Sequence, residues 1–350
     1  MDFAPNALTN PDTPTVPERM TFLNDFFDNS NAKQLQDQMK RFRAEHPDLA
    51  RAEKKPRIVL FLAIAVASLF AWTYLVAMVI DMAPDMDMRS LGPGMSAFNV
   101  FNGFESLDAT TRAFIAAVCA PSAALGHFGM PSLGAWGIED LMIVFGMWVM
   151  MAIAMMLPTA APILKSYASV REGRGEPVGP FSVLLLALGY LSVWISFALV
   201  ATLAQWGLTE IQAMSSVMAP ASMVFSASTL LLAGFYQFTP AKQACLLRCQ
   251  LPFPYFNRRS EQGYFRSFAG SYVMGLEQGF FCTGCTWALM VVMFAVGVMN
   301  VIWMAILGLL MGIEKVVPNP WVTRGIGLFL IMWGLLVLSI SPAGRTLLGL

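Results

Sequence analysis

Charge and histidine are scarce in this chain, and the familiar catalytic signatures are missing. Charged residues make up 13% of its 350 positions, against about 25% in an ordinary soluble domain. There are 2 histidines, His46 and His127, and neither falls in an apolar run, so a histidine-rich haem or di-metal centre is excluded. The chain has no Gly-x-Ser-x-Gly, phosphate loop, dinucleotide fingerprint or His-Glu-x-x-His, so no enzyme of those classes is expected. Nothing in the charge pattern supports binding to nucleic acid. The span pattern shows no internal repeat, which removes the inverted-repeat layout of many transporters. The first 56 residues are polar, so no cleaved leader is expected.

The chain does have apolar length. Hydrophobic residues make up 57% and the mean hydropathy is +0.60. They fall in blocks long enough for a bilayer, which needs roughly 20 residues per helix. The expected fold is an all-α, polytopic transmembrane bundle of about seven spans, or about six if the fifth-to-sixth hairpin fails. Those spans are 58–82, 141–164, 181–206, 211–238, 279–299, 301–313 and 321–340. Residues 1–56 read as an N-terminal arm, partly disordered or with a short amphipathic helix, in which Phe22, Leu23, Phe26 and Phe27 could dock on a partner or the membrane surface. After the first span (57–83) comes an external loop, 84–137, with an interfacial or re-entrant helix in "RAFIAAVCAPSAALGHF". Residues 138–317 form the transmembrane core, and 318–350 the last helix and tail.

Of the 22 basic residues, nine lie in the first 57 positions. The 165–180 and 239–267 loops add Lys165, Arg171, Arg174, Lys242, Arg248, Arg258, Arg259 and Arg266, whereas 81–140 is acidic. By the positive-inside rule the N-terminus is cytoplasmic.

Two groups of residues could carry chemistry. Cys245 and Cys249 stand at i, i+4, and Cys282 and Cys285 at i, i+3, so each pair shares a helix face. Topology puts both pairs near the cytoplasmic surface. Four thiolates there suit copper, zinc or an iron–sulfur cluster. Small buried packing residues and a thiol redox pair are the competing readings, and disulfides would lead only if the topology were reversed. The second group is a stripe on the second span, Asp140, Val144, Met147, Met151 and Met155. Its thioethers and outer carboxylate form a metal route or simply a packing face. Glu277 and Gln278 precede Cys282 and are candidates for the surroundings of the site, while Glu314 and Lys315 read as interfacial.

Four blocks then carry a resemblance: "GMWVMMAIAMMLPTAAPILKSYA", "GYLSVWISFALVATLAQWGL", "AGFYQFTPAKQACLLRCQLP" and "GLEQGFFCTGCTWALMVVMFAVGVMNVIWMAILGLLMGIEK". In order and spacing, over residues 138–317, they resemble the prokaryotic domain-of-unknown-function family 2182, described as predicted metal-binding integral membrane proteins. The resemblance implies a bacterial inner-membrane protein that handles a soft metal through Cys245, Cys249, Cys282 and Cys285. It also implies histidines where this chain has Arg248 and Gln278, and a further cysteine where it has Thr286. The altered ligands open a second expectation: a non-enzymatic accessory subunit of a membrane complex, held by partners through the arm and the 84–137 loop.

Overall fold

The computed structural model describes residues 47–54, 57–82, 136–176, 178–214 and 222–342, with a few single positions besides. The expected docking segment of the arm, the interfacial helix of the 84–137 loop and His127 lie outside them.

Eleven α-helices and one short 3-10 helix (Tyr264–Arg266) occupy the described residues: α1 (Pro47–Lys54), α2 (Ile58–Met82), α3 (Ile138–Thr159), α4 (Ala161–Gly173), α5 (Pro180–Glu210), α6 (Met223–Tyr236), α7 (Pro240–Gln250), α8 (Pro252–Glu261), α9 (Phe268–Val296), α10 (Val301–Val316) and α11 (Pro320–Ile340). Five of them, α2, α3, α5, α9 and α11, are long and apolar enough to cross a membrane. The all-α polytopic bundle is therefore the fold. Large apolar side chains such as Phe70 and Val66 on α2, Leu199 on α5 and Phe329 and Leu336 on α11 face outward. A water-soluble surface does not carry apolar area on this scale, whereas lipid requires it.

The boundaries depart from the sequence reading in three places, each for a physical reason. The span expected at 211–238 contains a helix of 14 residues, because Ser222 caps it by accepting from Phe225 N. The span expected at 301–313 is 16 residues, too short at 1.5 Å per residue to cross alone. The helix expected to start at Gly279 starts eleven residues earlier, where Ser267 caps it by accepting from Gly270 N. Cys282 and Cys285 therefore stand in the middle of α9, not at its entrance.

α9 is the central element, packed against α5, α6, α7 and α10. Its crossing with α5 is backbone-close: a Cβ on Gly275 would stand 2.2 Å from Leu186 O, and one on Gly189 2.2 Å from Tyr272 O. Only glycine allows that approach.

The α3–α4 break comes from proline. Pro158 has no N–H for the carbonyl of Ala154, and Ser68 Oγ of α2 donates to that carbonyl at 3.1 Å. Beyond the break, α4 turns across the end of the bundle and is tied there. Arg57 donates to Glu172 at 2.5 Å, and Arg174 bonds Asn257 and Glu261 of α8. α9 and α10 run antiparallel through a turn at 297–300, where Gly297 adopts φ +100° and Asn300 Oδ1 accepts from Trp303 N.

Candidate metal centre

The site forms where α7 lies on α9. Thr239 caps α7 by accepting from Lys242 N, Pro240 opens it, and Pro252 starts the next helix. The result is a short rigid rod with Cys245 and Cys249 on one face. Gly284 lets it settle, since a Cβ there would stand 2.7 Å from Cys245 Sγ. One turn further, Cys249 Sγ and Cys285 Sγ are 3.8 Å apart, both buried. That separation is an ordinary contact between two thiols, and it is also short enough for one soft ion to bridge both sulfurs.

Cys282 belongs to the same cluster but has other partners. Lys315 Nζ donates to its Sγ at 2.9 Å, and Tyr190 Oη of α5 lies 2.9 Å from the same sulfur. Lys315 also donates to Thr159 Oγ1 at 2.8 Å and approaches Met156 Sδ at 3.7 Å. Helix length explains the meeting: Cys282 and Lys315 each stand fourteen residues from the turn, on antiparallel helices. At 1.5 Å per residue both lie ~21 Å from it, at one level.

A buried charge pair anchors this level. Lys242 of α7 bonds Glu314 of α10 at 2.8 Å with both side chains fully inaccessible, and Lys242 also donates to Gln237. Gln250 Nε2 donates to Glu314 O at 2.7 Å. These contacts hold α7 against α10, and so hold Cys249 over Cys285.

On α7, outside the long spans, two cysteine pKa values are displaced. Burial raises that of Cys245, against a smaller lowering by Arg248. Cys249 is held well above the ordinary thiol range by its contacts with Cys282 and Cys285 and by burial. Both therefore enter the site as thiols whose protons a metal must displace.

The remaining expected residues stand elsewhere. Asp140 Oδ2 accepts from Gly137 N at 2.8 Å, a cap on the start of α3. Met147, Met151 and Met155 are all buried inside the bundle, Met155 beside Gly308 of α10. The next residue, Met156, meets the Lys315 ammonium at 3.7 Å, the same group that donates to Cys282. Glu277 accepts from Tyr255 and Arg259 of α8, and burial, helped by that contact, raises the Tyr255 pKa. Arg248 lies over the Phe281 ring at 4.7 Å. Gln278 is fully buried with neither amide atom hydrogen-bonded among the described residues, beside Tyr190, Leu157 and Leu186.

Among the described residues, no group of three or more His, Cys, Asp or Glu side chains is arranged to hold a metal ion. The cluster as it stands is one sulfur pair, Cys249 and Cys285, with Cys282 and Met156 beside it. Reading the sequence missed Lys315, Glu314, Lys242, Tyr190 and Met156. The one available signal was the Glu314–Lys315 dipeptide at the end of an otherwise apolar segment, since ionisable residues there are expensive and have a reason.

No curated protein and no solved structure matches the chain. A family model described as a copper chaperone, PpoB2, matches residues 145–337. That stretch is more than half of the chain, runs from α3 into α11, and contains all four cysteines of the site. It agrees with the earlier resemblance at the level of a copper-related membrane family, and nothing in it speaks for zinc. The chain belongs to this copper-chaperone family, and with five helices apolar enough to span a bilayer it is a copper-related membrane protein.

Proposed function

We propose that the protein takes up Cu(I) between Cys249 and Cys285 and passes it among neighbouring sulfurs, Cys282 and Met156. The observation that carries this reading is the buried sulfur pair at 3.8 Å, bridging two helices inside the family-matched region. The donors are thiols and a thioether, which suit soft Cu(I) and, through the thiols, also Zn(II). Cu(I) accepts two or three ligands, whereas a structural zinc site asks for four. Cys245, half-buried on the outer part of the same helix face, is the thiol from which an arriving ion would exchange inward.

The same reading supplies orientation. Lys165 and Arg171 of α4, Arg174 just past its end, Arg248 of α7, and Arg258 and Arg259 of α8 gather on or beside the short helices that accompany the long spans. Basic residues favour the cytoplasmic side, whose reducing conditions keep thiols free and copper monovalent.

The test is copper content. Detergent-solubilised wild type loaded with Cu(I) and desalted should retain copper, and a variant with Cys245, Cys249, Cys282 and Cys285 all changed to Ser should not. Wild-type copper no higher than that of the variant would overturn the proposal.

A further inference from the structure

Resting on that reading of the sulfur site, we propose that Lys315 sets the valence of the ion the site accepts, favouring a monovalent over a divalent cation. Lys315 is 4% exposed, and its ammonium points into the cluster, at Cys282 Sγ, Thr159 Oγ1 and Met156 Sδ. A buried ammonium is expensive to desolvate, and leucine or methionine would fill the same volume without that cost. The three N–H donors are each accounted for, so the group is held in place.

Its charge is not cancelled by a carboxylate. The neighbouring acid, Glu314, is engaged by Lys242 at 2.8 Å. Tyr190, Thr159 and Met156, which surround the ammonium–sulfur contact, are neutral. Among the described residues, the groups that accept from Lys315 are two sulfurs and a hydroxyl, and none is a carboxylate.

The consequence follows from charge. Lys315 lies against Cys282 and so places one fixed positive charge beside the Cys249–Cys285 pair, whatever charge the sulfurs carry. A fixed charge repels a divalent ion twice as strongly as a monovalent one. At ~5 Å and an effective dielectric of about 20, that second unit of charge lowers the binding constant by roughly 10²-fold. Thiolates alone bind Zn(II) and Cd(II) well, so sulfur chemistry cannot provide this discrimination by itself.

The experiment compares Cu(I) and Cd(II) binding to the full-length protein in detergent. Cu(I) is measured by competition with a chromophoric chelator, and Cd(II) by its thiolate charge-transfer absorption in the ultraviolet. Lys315→Met should gain roughly 10²-fold in Cd(II) affinity relative to Cu(I). Lys315→Arg, which keeps the charge, should retain the wild-type preference. If Lys315→Met does not fold, Lys315→Gln, polar but uncharged, should show the same loss of preference. An unchanged Cu(I)-to-Cd(II) ratio in the uncharged variants, or the same collapse in Lys315→Arg, overturns the proposal. Wild type that binds neither ion overturns the sulfur-site reading itself.

Discussion

Cys249 and Cys285 meet across two helices, sulfur to sulfur at 3.8 Å, while Cys245 on the same face stops over Gly284. That difference predicts a ranking. Cys249→Ser and Cys285→Ser should each weaken Cu(I) binding by at least roughly 100-fold, beyond what changes in the surroundings of a metal site cost. Cys245→Ser should keep the bound stoichiometry and slow only the uptake, because its thiol lies on the way in. Chelator competition gives the affinity, and stopped-flow transfer from a Cu(I) complex gives the rate. A Cys245→Ser protein as weak as Cys249→Ser would contradict the ranking.

The Lys242–Glu314 pair predicts an asymmetry between single and double substitution. Glu314→Gln strands a fully buried ammonium and should cost about 3–5 kcal/mol, the usual effect of breaking a buried pair. Replacing both residues by methionine removes both charges and should cost far less. Thermal unfolding in detergent separates the two cases. Because the pair joins α7 to α10, Glu314→Gln should also loosen the Cys249–Cys285 contact and lower copper retention. Equal destabilisation by the single and the double change would show that the charges do not hold α7 in place.

Much of this was legible before any coordinates. Apolar blocks reveal long helices because lipid leaves the backbone no other way to satisfy its hydrogen bonds, and α2, α5 and α11 appear close to where the pattern puts them. The two cysteine pairs were legible because i, i+3 and i, i+4 spacing places residues on one face. The start of α9 was not legible, because "FAGSYVMGLEQ" is rich in small and polar residues that read as loop. Their reason is packing: Gly275 and Gly279 let α5 come close, and Ser271 bonds Tyr167 at 2.8 Å. Lys315 was hidden for another reason. Its partner is thirty-three residues away, and the antiparallel return of α10 that brings them together depends on where α9 ends.

The α5–α9 crossing predicts a sharp steric limit. A methyl at Gly275 meets the Leu186 carbonyl at 2.2 Å and Gly189 Cα at 3.0 Å, and these are backbone atoms that no rotamer change can move. Gly275→Ala should force the helices apart and destabilise by about 1–3 kcal/mol, as overpacking typically does. Gly325→Ala has nothing within 4 Å of the new methyl and serves as the control. Comparing melting temperatures in one detergent checks the difference. A Gly275→Ala protein as stable as Gly325→Ala would mean that the helices do not cross this closely.

Gln278 predicts the opposite sign, a substitution that stabilises. Its amide is fully buried, and neither the oxygen nor the nitrogen has a partner among the described residues. Its neighbours include Leu157, Ile163, Leu164 and Leu186, in a crevice whose lining is almost wholly apolar. An unsatisfied buried polar group costs about 1–3 kcal/mol, and leucine has nearly the same volume. Gln278→Leu should therefore raise the unfolding temperature. Copper affinity should stay unchanged, because Tyr190 stands on the same crevice and reaches Cys282 through its own hydroxyl. A lower unfolding temperature together with lost copper would place Gln278 among the groups that hold the ion, at the position where the resemblance implies histidine. A higher unfolding temperature with copper retained would instead identify a buried amide that the sulfur site does without.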